Sequence, residues 1–255
     1  MKTCFIARTA EEVQQVFSTK FYEESCPKSQ AELDERVQLA AFLRTYALSG
    51  SCLFPVEVNI PPRDQKPDFK VTFRGANIGI EATKIASWEL EELRSVQRKE
   101  KLGTIEISSL LRQQPKRSRS QKIADCTASF PVFIFPDSNQ MQHEAEFWLQ
   151  HAAEIIRRKH EISRQPTFHH HGESWLLLWD KLSCGEELSQ RIEILANWLK
   201  TFWDASCFGK VIIHQEHSER FFLLSRAGVE IIENEKILPT IDFSLPEGNS
   251  LGIDN

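Results

Sequence analysis

The sequence has no closely spaced cysteine pair. Cys4, Cys26, Cys52, Cys126, Cys184 and Cys207 are scattered, without a CxxC. Neither a zinc ribbon nor a disulfide framework is visible, and some of these thiols are expected to be plain buried side chains. A glycine-rich phosphate loop, a Ser-His-Asp order and a nucleophile elbow are also missing, so nothing points to P-loop or α/β-hydrolase chemistry. No apolar run approaches membrane-spanning length, and the start MKTCFIARTAEE turns acidic too early for a signal peptide. The expectation is a cytoplasmic protein with no membrane partner. The formal net charge of −5 argues against a protein that coats nucleic acid broadly; any such contact has to come from a local basic patch. No internal repeat is apparent.

What is present suits a soluble globular protein. With 255 residues, 41% hydrophobic and 26% charged, the chain can bury a full core as one large or two small domains. Thr9 with Glu12, and Ser29 with Glu32, are capping boxes. They open expected helices over about 10–23 and from 29 to the stop at Gly50. The second helix carries apolar residues on more than one stripe and is expected to be well buried. Residues 53–60 form a short strand or extended arm ended by Pro61-Pro62. Ser87 caps a helix whose acidic first turn and basic last turn suit the helix dipole. FPVFIF at 130–135 fits a buried strand. Ser138 begins a long helix reaching about Arg164, with Phe147, Trp148, Ile155 and Ile156 inward. WLLLW at 175–179 is a central-strand candidate, since an all-apolar run suits a sheet covered on both faces. Ser183 and Glu186 open another helix, strands are expected at 210–214 and 220–224, and the end from about 238 is expected to be extended or frayed.

The segment 67–84, PDFKVTFRGANIGIEATK, is where carboxylates interrupt a clean strand pattern. Phe69, Val71 and Phe73, then Ile78, Ile80 and Ala82, are apolar with period two on either side of Arg74-Gly75-Ala76-Asn77, which reads as a β-hairpin. Pairing Phe73 with Ile78 sets Asp68 opposite Thr83 and Lys70 opposite Glu81. One face is then core, and the other carries Asp68, Lys70, Glu81 and Thr83 within roughly 5–8 Å of one another. Two carboxylates that close suit a hard divalent cation, Mg²⁺ or Mn²⁺, and a neighbouring lysine offsets charge at a phosphate. The plain alternative is a solvated strand face in which Lys70 and Glu81 form a cross-strand pair.

Pro67-Asp68, a hairpin, then Ile80-Glu81-Ala82-Thr83-Lys84 resembles the PD-(D/E)XK phosphodiesterase superfamily, the restriction-endonuclease-like fold. The resemblance implies Asp68 and Glu81 as metal ligands, with the Ala82 carbonyl as a third. It also implies a catalytic lysine two positions after the glutamate. Thr83 stands there and Lys84 follows it, on the core side by strand parity, so it reaches the metal only through a bulge. Lys70 lies on the correct face. A helix before the first strand often supplies a further glutamate in this family, which singles out Glu35 or Glu32; the plainer reading is a solvated carboxylate at a helix start.

Other candidates lie outside the hairpin. Arg112, Lys116, Arg117, Arg119 and Lys122 fall in a stretch, 107–124, free of acidic residues, which reads as a loop able to grip phosphates or as a solvated loop. His169, His170 and His171 alternate sides, so at most two converge on one metal. Asp180 ends a strand as an extra acid or a turn residue.

The resulting expectation is a single α/β domain over 1–255, in which a restriction-endonuclease-like mixed β-sheet of five or six strands is sandwiched between helices. Residues 1–50 form an N-terminal helical lead-in, 51–237 the core and 238–255 a tail. The expected function is a Mg²⁺- or Mn²⁺-dependent nuclease acting on nucleic acid, DNA foremost. The alternative is an inactive nuclease-fold binding or scaffold protein in a defence or mobile-element system, with a homodimer or protein partner.

Overall fold

The computed structural model describes residues 3–25, 27–62, 67–85, 138–165, 168, 172–180, 188–203, 207–215 and 220–233. The expected helix from Ser87, the basic stretch 107–124, the strand at 130–135, His169 to His171, the Ser183–Glu186 capping box and the tail from 238 lie outside them.

Among the described residues, eight strands form one mixed sheet in sequence order: β1 Thr3–Ala7, β2 Val56–Ile60, β3 Phe69–Phe73, β4 Ala76–Ile85, β5 Glu173–Asp180, β6 Lys210–Gln215, β7 Arg220–Ser225 and β8 Gly228–Glu233. The central trio β4–β5–β6 is parallel, and the other neighbours are antiparallel. β5 lies within this trio, as its all-apolar run requires: Trp175 to Leu178 are buried. The expectation of five or six strands is corrected by β1 and β8, the two edges. β1 also brings a strand into what had read as a helical lead-in.

Helices cover both faces. Helices α1 Ala10–Val16, α2 Thr19–Ser25 and α3 Gln30–Leu48 lie on one side; α1 and α2 replace the single helix expected there. The Thr9 and Ser29 hydroxyls accept the amides of Glu12 and Glu32, so both predicted caps are formed. The first core contains Val13, Phe21, Leu39, Phe42 and Leu43 against Phe5, Val58, Val71, Ile80, Trp175 and Phe221. Phe42 makes edge contacts with Trp175 and Phe221 at 6.2 and 5.7 Å between centroids. On the other side, α4 Ser138–Ser163 and α5 Leu188–Lys200 place Trp148, Ile155, Ile156, Ile192 and Leu195 over Ile85, Leu176, Leu178, Val211 and Phe222.

The β3–β4 hairpin positions the carboxylates. Its register is Phe73 with Ala76, Val71 with Ile78 and Phe69 with Ile80, two residues away from the pairing expected above. The cause is the turn. Arg74 and Gly75 both adopt positive φ, 45° and 89°, which closes the hairpin in two residues as a primed turn, the type whose twist matches that of the strands. A shift of two preserves parity, so Phe69, Val71, Phe73, Ile78, Ile80 and Ala82 remain a buried face.

Candidate active site

One step beyond the last pair, Phe69 and Ile80, the same register brings Asp68 level with Glu81 rather than Thr83. The two carboxylates are thus nearer in register than the sequence pattern suggested. Lys70 moves from opposite Glu81 to opposite Gly79, one diagonal step from Glu81.

β4 is ten residues long and β3 five, so β4 runs on beside β5 after β3 has stopped. Its edge toward β3 is then open to a side chain. The Ala82 N–H donates to Asp68 Oδ2 at 2.9 Å, in the place of the next ladder bond. Because the N–H and C=O of a residue in an extended strand point to the same side, the Ala82 carbonyl faces that edge too. Pro67 is held against the hairpin by Gly79: a Cβ on this glycine would lie 2.8 Å from Pro67 Cγ. The absence of a side chain at 79 therefore lets Pro67 settle on β4 and fixes where Asp68 emerges.

Glu81 points to the opposite sheet face from Ala82, under α4. It is 1% exposed, and its Oε1 accepts from Lys159 Nζ at 2.6 Å. The Lys159 side chain, 12% exposed, descends from α4. A carboxylate so buried needs a partner of opposite charge or a metal, because stripping its water without one is costly. Lys159 supplies that charge from far away in the chain.

Lys84 takes the direction its strand parity predicts. It lies on the α3 side and forms an ion pair with Asp34, whose other oxygen Oδ1 accepts from Gln30 Nε2 at 2.8 Å. Lys84 therefore serves Asp34, on the face away from Glu81, and no bulge re-aims it. The expectation of Lys84 beside the metal is corrected on this ground. Glu32 is committed to its cap: its Oε2 accepts from the Lys28 N–H at 2.8 Å and lies 3.6 Å from Arg36 Nη1. Glu35 lines a pocket of about 240 Å³ with Asp34, Gln38, Thr83, Lys84 and Trp179. Asp180 is fully buried at the end of β5, not a surface turn residue.

The structure thus brings together Asp68, Glu81 and the Ala82 backbone, and adds Lys159, which the sequence reading missed. A signal for it existed. Among the described side chains of α4, Trp148, Ala152, Ile155, Ile156, His160 and Ser163 are buried, and Lys159, four residues after Ile155, falls on that stripe at i, i+4 spacing. A lysine on an apolar stripe needs an acid beneath it.

Asp68, Glu81 and Lys159 sum formally to −1, and the donors are hard oxygens: the Glu81 carboxylate buried under α4, and the Asp68 carboxylate and Ala82 carbonyl at the strand edge. This donor set fits a small divalent cation in which water fills the remaining positions. Among the described residues, no group of three or more His, Cys, Asp or Glu side chains gathers as a metal cage. No protein-family model matches the chain, and neither a curated protein nor a solved structure matches it.

Among the described residues, no helix is long and apolar enough to cross a membrane.

Proposed function

We propose that the chain is a metal-dependent phosphodiesterase of the PD-(D/E)XK type that cleaves nucleic acid, with DNA the substrate to try first. The observation that carries this reading is Asp68 level with Glu81 where β3 stops and β4 continues, with the Ala82 backbone turned to the same edge. Asp68, Glu81 and the Ala82 carbonyl would hold Mg²⁺ or Mn²⁺. When bound, such an ion supplies charge stabilisation at the phosphate and lowers the pKa of a coordinated water.

The chain's own groups do the rest. The Ala82 N–H fixes one oxygen of Asp68. Lys159 pairs with Glu81 in its buried position and takes the place of the lysine missing at 83. Lys70, on the same face, would meet a phosphate oxygen. The basic residues Arg112, Lys116, Arg117, Arg119 and Lys122 would add contacts to the nucleic-acid backbone that do not depend on sequence.

Asp68→Ala and Glu81→Ala are each expected to lower cleavage of a labelled DNA in Mg²⁺ or Mn²⁺ at least a hundredfold, while circular dichroism stays that of the wild type. Full cleavage by either variant overturns the proposal.

A second reading draws on the same ion pair. Lys159 alone can neutralise Glu81, as it would in an inactive descendant that binds a protein partner or a second copy of itself. Calorimetric titration of Mn²⁺ into wild type and Asp68→Ala separates the two. Binding that vanishes in the variant supports the nuclease, and no binding by wild type favours the scaffold.

A further inference from the structure

Of the three described cysteines, Cys4 is exposed, Cys52 is buried and Cys207 is half-buried. Among these three, only Cys207 has a histidine nitrogen within reach. The last turn of α4 brings His160 and Ser163 against the segment leading into β6, where Cys207 Sγ lies 3.5 Å from His160 Nδ1 and in contact with Ser163 Oγ. The chemistry proposed above uses none of the three.

Two hydrogen bonds settle where the thiol proton can go. The Ser163 hydroxyl donates to the His160 carbonyl at 2.7 Å, so its oxygen is left to accept from the thiol. The Cys207 N–H donates to His160 Nδ1 at 3.4 Å, so that nitrogen carries a lone pair and the ring proton of the neutral imidazole is on Nε2. The same nitrogen faces Sγ. His160 is 7% exposed, and Phe202 stands edge-on to its ring with centroids 5.0 Å apart, which holds the imidazole in place.

At neutral pH the pair is a thiol beside a free base. Burial, with Arg164 adding its charge, holds His160 below its ordinary pKa, so the imidazole is able to accept a proton. Burial also pushes the Cys207 thiol up, so sulfur keeps its proton until a reagent arrives. A buried thiol with no base is inert, as Cys52 should be, since burial pushes it up to about 11. A positioned imidazole changes that, because it can take the proton as the sulfur attacks.

We propose that Cys207 is an oxidation site for hydrogen peroxide, with His160 as its general base. The sulfur lone pair attacks one peroxide oxygen as His160 Nδ1 takes the thiol proton. An S–O bond forms, the O–O bond breaks, and sulfur gives up two electrons to the peroxide. The leaving hydroxide recovers the proton from His160 and departs as water, and Cys207 is left as a sulfenic acid. The inference does not rest on the nuclease reading.

The test treats reduced, full-length protein with hydrogen peroxide in the presence of a 1,3-dione that traps sulfenic acid, and follows the adducts by mass spectrometry of tryptic peptides. Cys207 is the one cysteine of peptide 201–210 and Cys4 the one of peptide 3–8, so the exposed thiol is an internal reference. Native Cys207 is expected to be labelled faster than Cys4 by about tenfold or more, although it is the less exposed, because a positioned general base contributes about 10²–10⁴-fold. His160→Gln, which keeps polar atoms at the position and removes the base, should bring Cys207 to the Cys4 rate or below. Wild type unfolded in urea should do the same, which keeps the test decisive if His160→Gln folds poorly. Labelling of native Cys207 no faster than Cys4, an advantage that survives in folded His160→Gln, or one that persists in urea overturns the proposal.

Discussion

Removing Lys159 is the most informative single change, because it bears on stability and chemistry at once. Lys159→Met keeps the aliphatic stem of the side chain and deletes the ammonium that lies 2.6 Å from Glu81 Oε1. Glu81 is 1% exposed, so water cannot replace the lost partner. Leaving one member of a buried pair alone costs about 3–5 kcal/mol. For a chain of this size that corresponds to a fall in melting temperature of about 6–20 °C. Replacing both partners with apolar groups of similar volume should recover most of the loss, so Glu81→Leu/Lys159→Met is expected within about 1 kcal/mol of wild type. Mn²⁺ adds a second readout. A cation that binds only the folded state stabilises it by mass action, and Lys159→Met removes the ammonium that sits beside Glu81. Millimolar Mn²⁺ should therefore restore much of the lost melting temperature in Lys159→Met and little in Lys159→Met/Asp68→Ala. Calorimetric melts of these variants, with and without Mn²⁺, decide the matter. A Lys159→Met protein as stable as wild type would refute the burial argument, and Mn²⁺ rescue independent of Asp68 would refute the site.

Two further changes probe the supports of the site. In Gly79→Ala the new methyl meets the Pro67 ring at 2.8 Å; overpacking of this kind costs about 1–3 kcal/mol. Any shift of Pro67 moves Asp68, so cleavage should fall further than the stability change explains; a variant with wild-type turnover sinks the link between Pro67 and Asp68. His160 supplies a pH dependence. Burial, with Arg164 adding its charge, holds this imidazole below its ordinary pKa of 6.5. The folded state therefore keeps it neutral, and its contribution to stability is present above pH 6.5 and lost as the pH falls through the lowered value. Urea midpoints should drop below pH 6.5 in wild type and drop less in His160→Gln. An identical pH profile in the two proteins would show that another group is responsible.

Much of the fold could be read because it rests on local chemistry. Hydroxyl caps at Thr9 and Ser29, period two in β3 and β4 and the all-apolar β5 are signals that a short window contains. β8 gave no such signal: Val229 and Ile231 are exposed while Ile232 is buried, so an edge strand with apolar residues on both faces shows no alternation. β1 is similar, with Ile6 half exposed between Phe5 and Ala7. In the site, Asp68 and Glu81 were legible because both lie in one hairpin. Lys159 and Asp34 were not, since each meets its partner only after a helix packs on the sheet.

The hairpin register was misjudged by two residues for a physical reason that can be tested. Arg74 is a poor choice for a position with φ of 45°, since a side chain with a Cβ is strained there and asparagine or glycine is favoured. The sequence therefore hid a two-residue turn behind a residue that seldom occupies one. Arg74→Asn should relieve that strain and stabilise the protein by about 0.5–1 kcal/mol. The Arg74 N–H that donates to Pro55 O at 2.9 Å belongs to the backbone and survives the change. If the turn instead spanned 74–77, Asp68 would lie opposite Thr83 and Arg74 would have no strain to relieve. A loss of stability in Arg74→Asn would then favour the wider turn, and the pairing of Asp68 with Glu81 on which the proposed metal site depends would fall with it.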